Sequence, residues 1–479
     1  MADVPSRSSS GVRLEGDDYQ HLVTLNEVLR AMRGNGVDAV TVEASDTGNV
    51  DDIVLAGAAG ATRYTQVKHA VDGQTPVGTT WLLSPARKGG RSLLQRFHAS
   101  WVHLGGLEVR PYLQLVTDRD IDPTDPILKM IDRRTGLVVP AIRAASVQEQ
   151  RAEWARHLDV SEDELVTFLE DLRFVTGRSM AAEREIAELQ LQALGLVSGG
   201  GTIDSGLAFV REWVQERERT MEVAALGPLI EGRIGRAALP SILLVVEGID
   251  ADPATAQADV GLRFVELYDG DDPFSRRTLH DHADWQGEVW TELQRAAEHL
   301  RQAGGTRVVV SGRMRLPMWF GAGCALRDVL GFEVSSVQRG QRWASDELGN
   351  SLPLDAKLRT VGDEHGLAVV LSVAADAEGE AVACAAELPV GRVLAIAPTT
   401  GANAGVVPDG PTGAALAVAI RNLVRQHLDG ATEEIHLFMA VPAGLALLLG
   451  HRWNALRPTV VYEHLGAGRG YARTYRVVA

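Results

Sequence analysis

The chain has 479 residues, of which 45% are hydrophobic and 23% charged, and a formal net charge of −16. Those values describe an ordinary soluble globular protein of about three domains. They exclude a protein coated along its surface by nucleic acid, and no apolar run is long enough to span a bilayer. The polar start, Met1 to Ser10, lacks the apolar core of a signal peptide. Cys324 and Cys384 sit in Ala-rich apolar runs, which predicts buried free thiols and a reducing cytoplasm as the location.

Residues 1–12 read as a disordered tail. Tyr19, Leu22, Leu25 and Leu29 then recur near helical spacing and predict a helix from about Gly16 to Met32. Asp38–Ala44, Ile53–Ala56 and Arg63–His69 are strand-like, with Gly48, Gly57 and Gly60 marking turns. Ser92–Leu104 predicts a helix and Arg110–Val116 a strand. From Ser146 to Ile234 the apolar positions, among them Trp154, Leu158, Leu165, Phe168, Leu172, Ile186 and Leu189, follow a helical period. Leu239 opens a further strand that includes Ser241–Val246.

The last 240 or so residues carry a faint internal duplication. In the first copy a helix, Trp285–Ala303, leads to the strand Thr306–Ser311. A loop with Pro317, a helix and Phe332–Val334 follow. In the second copy a helix, Thr412–Asp429, leads to Glu434–Met439, a loop with Pro442, a helix and Thr459–Tyr462. Helices alternating with apolar strands imply parallel sheets, so the fold class is α/β.

One constellation carries chemistry. Asp52 precedes a short strand, a turn follows, and the next strand ends in Gln66-Val67-Lys68. This resembles the PD-(D/E)xK nuclease core with Gln in place of Glu. The resemblance implies metal-dependent phosphodiester cleavage, which needs a cation, an activated water and in-line geometry. Asp52 would bind Mg²⁺, and Gln66 would offer its side-chain oxygen, since Mg²⁺ takes oxygen ligands and keeps several waters. Lys68 would orient or deprotonate the attacking water and offset developing charge. Residues 66 and 68 share one face of a strand, with Val67 turned to the core. Glu43, ending the preceding strand, and Gln20, on the first helix, are expected as helpers. Asp51 is expected to be exposed, because Asp52 directly precedes Ile53. The competing reading makes Gln66 and Lys68 ordinary polar residues of a half-exposed strand.

The basic run Arg87-Lys88-Gly89-Gly90-Arg91, with Arg96 beyond it, is read either as a DNA-facing patch or as a solvated face. The stretch from Gly16 to His69, together with Gln114–Arg119, is similar to the nuclease domains on effectors of CBASS, bacterial anti-phage systems that signal through cyclic oligonucleotides. The Ala/Gly-rich turn from Ala56 to Ala61 departs from that pattern.

Phe438-Met439-Ala440-Val441-Pro442-Ala443-Gly444, a Leu-rich helix with Gly450, and Val460–Glu463 are similar to the SAVED domain over about residues 236–479. That resemblance implies two fused CARF-like Rossmann units that bind a cyclic oligonucleotide, typically a cyclic trinucleotide. In open parallel sheets ligands bind beyond the carboxyl ends of the strands, where helix N-termini meet phosphates. The positions expected there are Ser311, Arg313, Arg315 and Trp319, then Thr399 and Thr400, then Pro442, Ala443 and Gly444. The arginines would neutralise phosphates, Trp319 would stack on a base, the threonines would donate hydroxyls, and Pro442 would shape the turn. Trp319 as core and the arginines as solvated residues are the competing readings.

The sequence therefore predicts a disordered tail (1–12), a PD-(D/E)xK-like nuclease domain with a helical extension (13–235) and a SAVED sensor (236–479). The expected function is Mg²⁺-dependent cleavage of double-stranded DNA, triggered by a cyclic oligonucleotide through self-association, with no membrane involved. A constitutive restriction-type nuclease and a non-catalytic sensor scaffold are the alternatives.

Overall fold

The computed structural model describes residues 9–34, 36–45, 47–48, 50–57, 62–70, 75–85, 89–132, 135–139, 141–199, 201–237 and 240–478. The expectations placed on residues 1–8, the turn at 58–61, Arg87, Lys88 and Leu239 fall outside them. The chain divides into two compact units, Met1–Ala238 and Leu239–Ala479.

The first unit is built on a mixed sheet of β1 (Val37–Val42), β2 (Ile53–Gly57), β3 (Thr62–Lys68), β4 (Tyr112–Thr117), β5 (Leu172–Val175) and β6 (Thr220–Glu222), in the order β5-β4-β3-β2-β1-β6. β3, β4 and β5 run parallel, and β3, β2, β1 and β6 pair antiparallel. A helix, Ser9–Met32, covers one face. It buries Tyr19, Leu22, Leu25 and Leu29 against Val40, Ile53, Leu55 and Val67. The helix starts earlier than expected, so Ser9 to Val12 belong to it and not to a tail.

A second helix, Leu93–His103, covers the other face, packing Leu94, Phe97 and Trp101 with Leu113, Leu115 and the partly buried Tyr64. Its start is set locally. The Ser92 hydroxyl accepts from the Gln95 N–H, and the Gln95 side chain accepts from the Ser92 N–H. Side chains alternate along β3, so Val67 faces the first helix while Tyr64, Gln66 and Lys68 face the second.

The helical stretch from Ser146 to Ile234 contains two strands that periodicity does not reveal. Leu172, expected on a helix, opens β5 and pairs with Leu113 of β4. Before it, Asp171 ends a helix and accepts from Trp101 Nε1 at 2.9 Å and Arg110 Nε at 2.8 Å. Those partners lie 70 and 61 residues away in sequence, so no local window reports the break.

The second unit holds two sheets. The first comprises β7 (Ile242–Glu247), β8 (Val260–Arg263), β9 (Arg307–Arg313), β10 (Glu333–Gln338) and β11 (Gln341–Ala344), in the order β11-β10-β9-β7-β8. The second comprises β12 (Leu354–Thr360), β13 (Gly366–Ser372), β14 (Val390–Pro398), β15 (Glu434–Ala440), β16 (Thr459–His464) and β17 (Tyr471–Val477), in the order β12-β14-β13-β15-β16-β17. The inner strands of both are parallel, while β11, β12 and β17 pair antiparallel at edges.

The duplication has a structural counterpart. β9, the helix Leu316–Ala325 and β10 correspond to β15, the helix Ala443–Arg452 and β16. Pro317 lies inside the first turn of its helix, not in a loop, and Pro442 is the N-cap of the other. Proline is tolerated there because the first helical N–H groups have no intrahelical acceptor. The two helices pack on each other, with the Phe320 and Trp453 rings 5.4 Å apart edge to face. One apolar core runs through both halves and includes Val310, Phe320, Leu437, Leu447 and Trp453.

Candidate functional site

Asp52 stands at the foot of β2, and β3 returns beside it so that Ile53 pairs with Thr65. The hairpin carries the acid to the amide. Gln66 Nε2 donates to Asp52 Oδ2, and the Val67 N–H donates to the same oxygen at 2.6 Å. Gln66 is 5% exposed. Burial pushes the Asp52 carboxyl up to about 6, against the pull of the Lys68 ammonium and the Val67 N–H. Burial likewise lowers the Lys68 ammonium, and the Asp52 charge opposes it. Among the described residues Lys68 Nζ makes no hydrogen bond or ion pair, so acid and ammonium act on each other without touching.

The expected helpers sit to one side. The Glu43 N–H donates to the Asp52 carbonyl at 3.1 Å, which places its backbone next to the acid. Its φ of +44° is left-handed, an uncommon conformation for a residue with a Cβ. Its carboxylate is engaged with Gln20 Nε2 at 3.4 Å and Arg219 Nη1 at 3.5 Å. The structure thus joins Gln20 and Glu43 to each other and to Arg219, which the sequence did not single out. Asp51 is half-exposed, and its charge adds to the rise at Asp52. Arg91 is exposed, and Arg96 is half-buried on the Leu93–His103 helix.

The Asp52 carboxylate and the Gln66 amide oxygen form a hard-oxygen set that suits Mg²⁺. Gln66 presents its NH₂ to Asp52, so serving as a ligand requires the amide to turn its oxygen instead. Among the described residues no group of three or more His, Cys, Asp or Glu could hold a metal ion. A cation at this site would therefore depend on one carboxylate, one amide, and oxygens from water or substrate.

The buried acid yields a pH prediction. The folded pKa of Asp52 lies above its ordinary value, so its contribution to stability is full below about pH 4 and is lost as pH rises through about 6. Asp52→Asn should therefore melt about 3 °C higher than the parent at pH 8 without metal, as expected for about 1 kcal/mol in a unit of this size. The difference should vanish at pH 4. Differential scanning calorimetry at both pH values checks it.

In the second unit a cavity of about 520 Å³ opens at the carboxyl ends of β9, β13, β15 and β16. Arg315, Trp319 and Ala443 line it. The other expected positions lie elsewhere. Ser311 is within β9, and Arg313 is half-exposed with Asp250 3.9 Å away. Thr399 and Thr400 are exposed beyond β14, on the far side of β13 from β15. Pro442 caps its helix, and the Gly444 N–H donates to Gln338 Oε1 at 2.8 Å.

Four lining residues at the end of β16 and start of β17 were not anticipated: Tyr462, Glu463, His464 and Tyr471. The strand-end rule applied to β16 as well would have found the first three. Arg277, from the segment before the π-helical stretch Trp285–Trp290, joins the polar wall, to which Asp376 and Glu380 also belong. Glu463 is 5% exposed, and burial pushes its carboxyl up to about 8 despite Arg315 and Arg277. Arg315 Nη2 donates to the carbonyls of Arg276 at 2.6 Å and Pro273 at 2.9 Å, which fixes its guanidinium 3.8 Å from Glu463. Arg277 is held more loosely, by one bond of 3.4 Å to the His464 carbonyl.

Cys324 is buried and Cys384 half-buried, and both are free thiols. Among the described residues no helix is long and apolar enough to cross a membrane.

The family model described as the SMODS-associated and fused to various effectors sensor domain (SAVED) matches residues 291–477. The match starts after β7 and β8, although β7 lies between β9 and β8 in the same sheet. No curated protein matches the chain. Among solved structures, the Acinetobacter baumannii Cap4 SAVED/CARF-domain containing receptor with the cyclic trinucleotide 2'3'3'-cAAA is similar at 12% identity and TM-score 0.44, over 99% of each chain. The Moraxella osloensis Cap4 SAVED/CARF-domain containing receptor is similar at 12% identity and TM-score 0.41, over 97% of this chain and 99% of that one.

Proposed function

We propose that this chain is a CBASS effector in which a SAVED sensor for a cyclic oligonucleotide controls a metal-dependent double-stranded DNA endonuclease of the PD-(D/E)xK type. The observation that carries the nuclease half is the convergence of Asp52, Gln66 and Lys68 on the β2–β3 hairpin, with the acid raised and the ammonium lowered by burial. Perturbed titratable groups held together in this way are a mark of functional sites. Asp52, with Gln66 once its amide turns its oxygen inward, would hold Mg²⁺, which would supply Lewis-acid polarisation of the phosphodiester. Lys68 orients the attacking water at Nζ, and its charge offsets that which develops on the phosphate. Glu43 positions the Asp52 backbone through its N–H, and Gln20 holds the Glu43 carboxylate beside the site.

The sensor half rests on the family match and on the cavity at the strand ends. Arg277 and Arg315 offer charge to phosphates, and Trp319 and Tyr471 offer ring faces to bases. A cyclic trinucleotide is the ligand class proposed. Binding promotes self-association, and the ligand must favour the active assembly for the signal to pass.

Arg277→Ala should weaken cyclic trinucleotide binding by about tenfold, roughly the loss of one charge-assisted hydrogen bond. Arg313→Ala should leave it unchanged, because Arg313 lies outside the cavity. Isothermal titration calorimetry separates the two.

The function is tested by plasmid cleavage in Mg²⁺ with and without a panel of cyclic di- and trinucleotides. Cleavage confined to one cyclic nucleotide supports both halves. Cleavage without any ligand leaves a constitutive nuclease. Ligand binding with no cleavage under any condition leaves a non-catalytic sensor scaffold.

A further inference from the structure

The face of β3 that carries Gln66 and Lys68 is covered by the helix Leu93–His103, and Arg96 sits in its first turn, half-buried. Half-buried guanidiniums elsewhere in this unit have partners: Arg63 meets Glu27, Arg151 meets Glu162, Arg178 meets Glu183, and Arg173 donates to the Glu170 carbonyl. Arg96 does not. Among the described residues its guanidinium makes no hydrogen bond and no ion pair, and its Nε is sealed from solvent without an acceptor. Its charge acts on the Lys68 ammonium, so two cations crowd one another on this face.

A partly desolvated cation without a partner costs folding free energy. Departures of this kind concentrate where a ligand completes the site. Asp52, the acid that acts most strongly on Lys68, takes both described hydrogen bonds to its carboxylate from β3 itself and makes none to Arg96. What Arg96 lacks is an anion, and a guanidinium is suited to phosphate oxygens.

We propose that Arg96 is a phosphate-binding residue of the nuclease site, its guanidinium taking a non-bridging oxygen of the DNA backbone at or beside the phosphodiester addressed by Lys68. This rests on the nuclease reading above, and the competing role is an indirect one, in which Arg96 only adjusts Lys68 without touching DNA.

The test uses the full chain carrying Lys68→Ala, which holds DNA without cutting it, and adds Arg96→Ala or Arg96→Lys. Binding of a DNA duplex of about 30 base pairs, the scale of an ordinary protein site, is measured by fluorescence anisotropy in Mg²⁺ at several salt concentrations, without cyclic nucleotide and with 2'3'3'-cAAA. Arg96→Ala should weaken binding by about tenfold and reduce the slope of log affinity against log salt by about one, the signature of one lost phosphate contact. Arg96→Lys should keep the slope. Its melting temperature, and that of Arg96→Ala, should be no lower than the parent's, since no internal partner is lost. Unchanged affinity and slope in Arg96→Ala overturn the proposal, including the case where Arg96→Ala made alone, with Lys68 intact, cuts more slowly than the parent, which would assign Arg96 the indirect role. Failure of the Lys68→Ala chain to bind the duplex in both conditions also overturns it. A parent chain that binds DNA and never cuts it, with the slope still lowered by Arg96→Ala, removes the nuclease reading and leaves Arg96 as a phosphate contact.

Discussion

Lys68→Ala is expected to lower DNA cleavage by at least about 10³-fold while leaving cyclic oligonucleotide binding intact, the scale of losing a positioned proton-transfer or charge-stabilising group. Lys68 is half-buried on β3, held beside Asp52 by strand geometry and without a hydrogen bond among the described residues, so truncation removes a cation without breaking a described structural bond. The fold should survive. The site loses an unfavourable buried charge, and Val67, which anchors the strand in the core, is untouched. Single-turnover cleavage of plasmid DNA and calorimetric binding of the cyclic nucleotide on the same preparation check both parts. Cleavage at the parent rate would remove Lys68 from the chemistry, and with it the argument for the whole constellation.

Gly323→Ala should disrupt the second unit, costing about 3 kcal/mol or more, at or above the top of the usual range for overpacking. A Cβ at Gly323 would lie 2.1 Å from the Leu447 carbonyl oxygen and 2.6 Å from the His451 nitrogen. The reciprocal position behaves alike: at Gly450 a Cβ would lie 2.1 Å from the Phe320 carbonyl oxygen. These obstacles are backbone atoms of the facing helix, so no side-chain rotation relieves them. The helices must separate, and the core that both halves share must open with them. Gly379→Ala is the control. It lies in a helix of the same unit with nothing within 4 Å of a new Cβ, and it should be neutral or stabilising by up to about 1 kcal/mol. Urea denaturation followed by near-ultraviolet circular dichroism distinguishes the two. Equal midpoints would show that the helices part at little cost.

Much of the candidate active site is legible in order along the chain. Asp52, Gln66 and Lys68 lie within one hairpin, and strand alternation sets which of them share a face. The positions of Gln20 and Glu43 were less so, because the Glu43 carboxylate is shared with Arg219, 176 residues beyond it. The sensor cavity was legible as a place but only partly as a residue list. The strand-end rule located the ends of β9 and β15, but the sheet order decides that β16 joins them and that the β14 end does not. Sheet order is a long-range pairing choice, and nothing in a local window specifies it.

Periodicity, charge and the spacing of apolar runs therefore determined the α/β class, the parallel interiors, most helices and the duplicated strand–helix–strand segments. These are properties of short stretches, each of which must bury one face or stripe. Tertiary contacts decided the rest. β5 and β6 are three or four residues long and exist because neighbouring strands pair with them. The glycine-to-backbone approach of two helices exists because the halves share one core. The shifted states of Asp52 and Glu463 arise because packing removes water from carboxyls that composition alone would place at the surface.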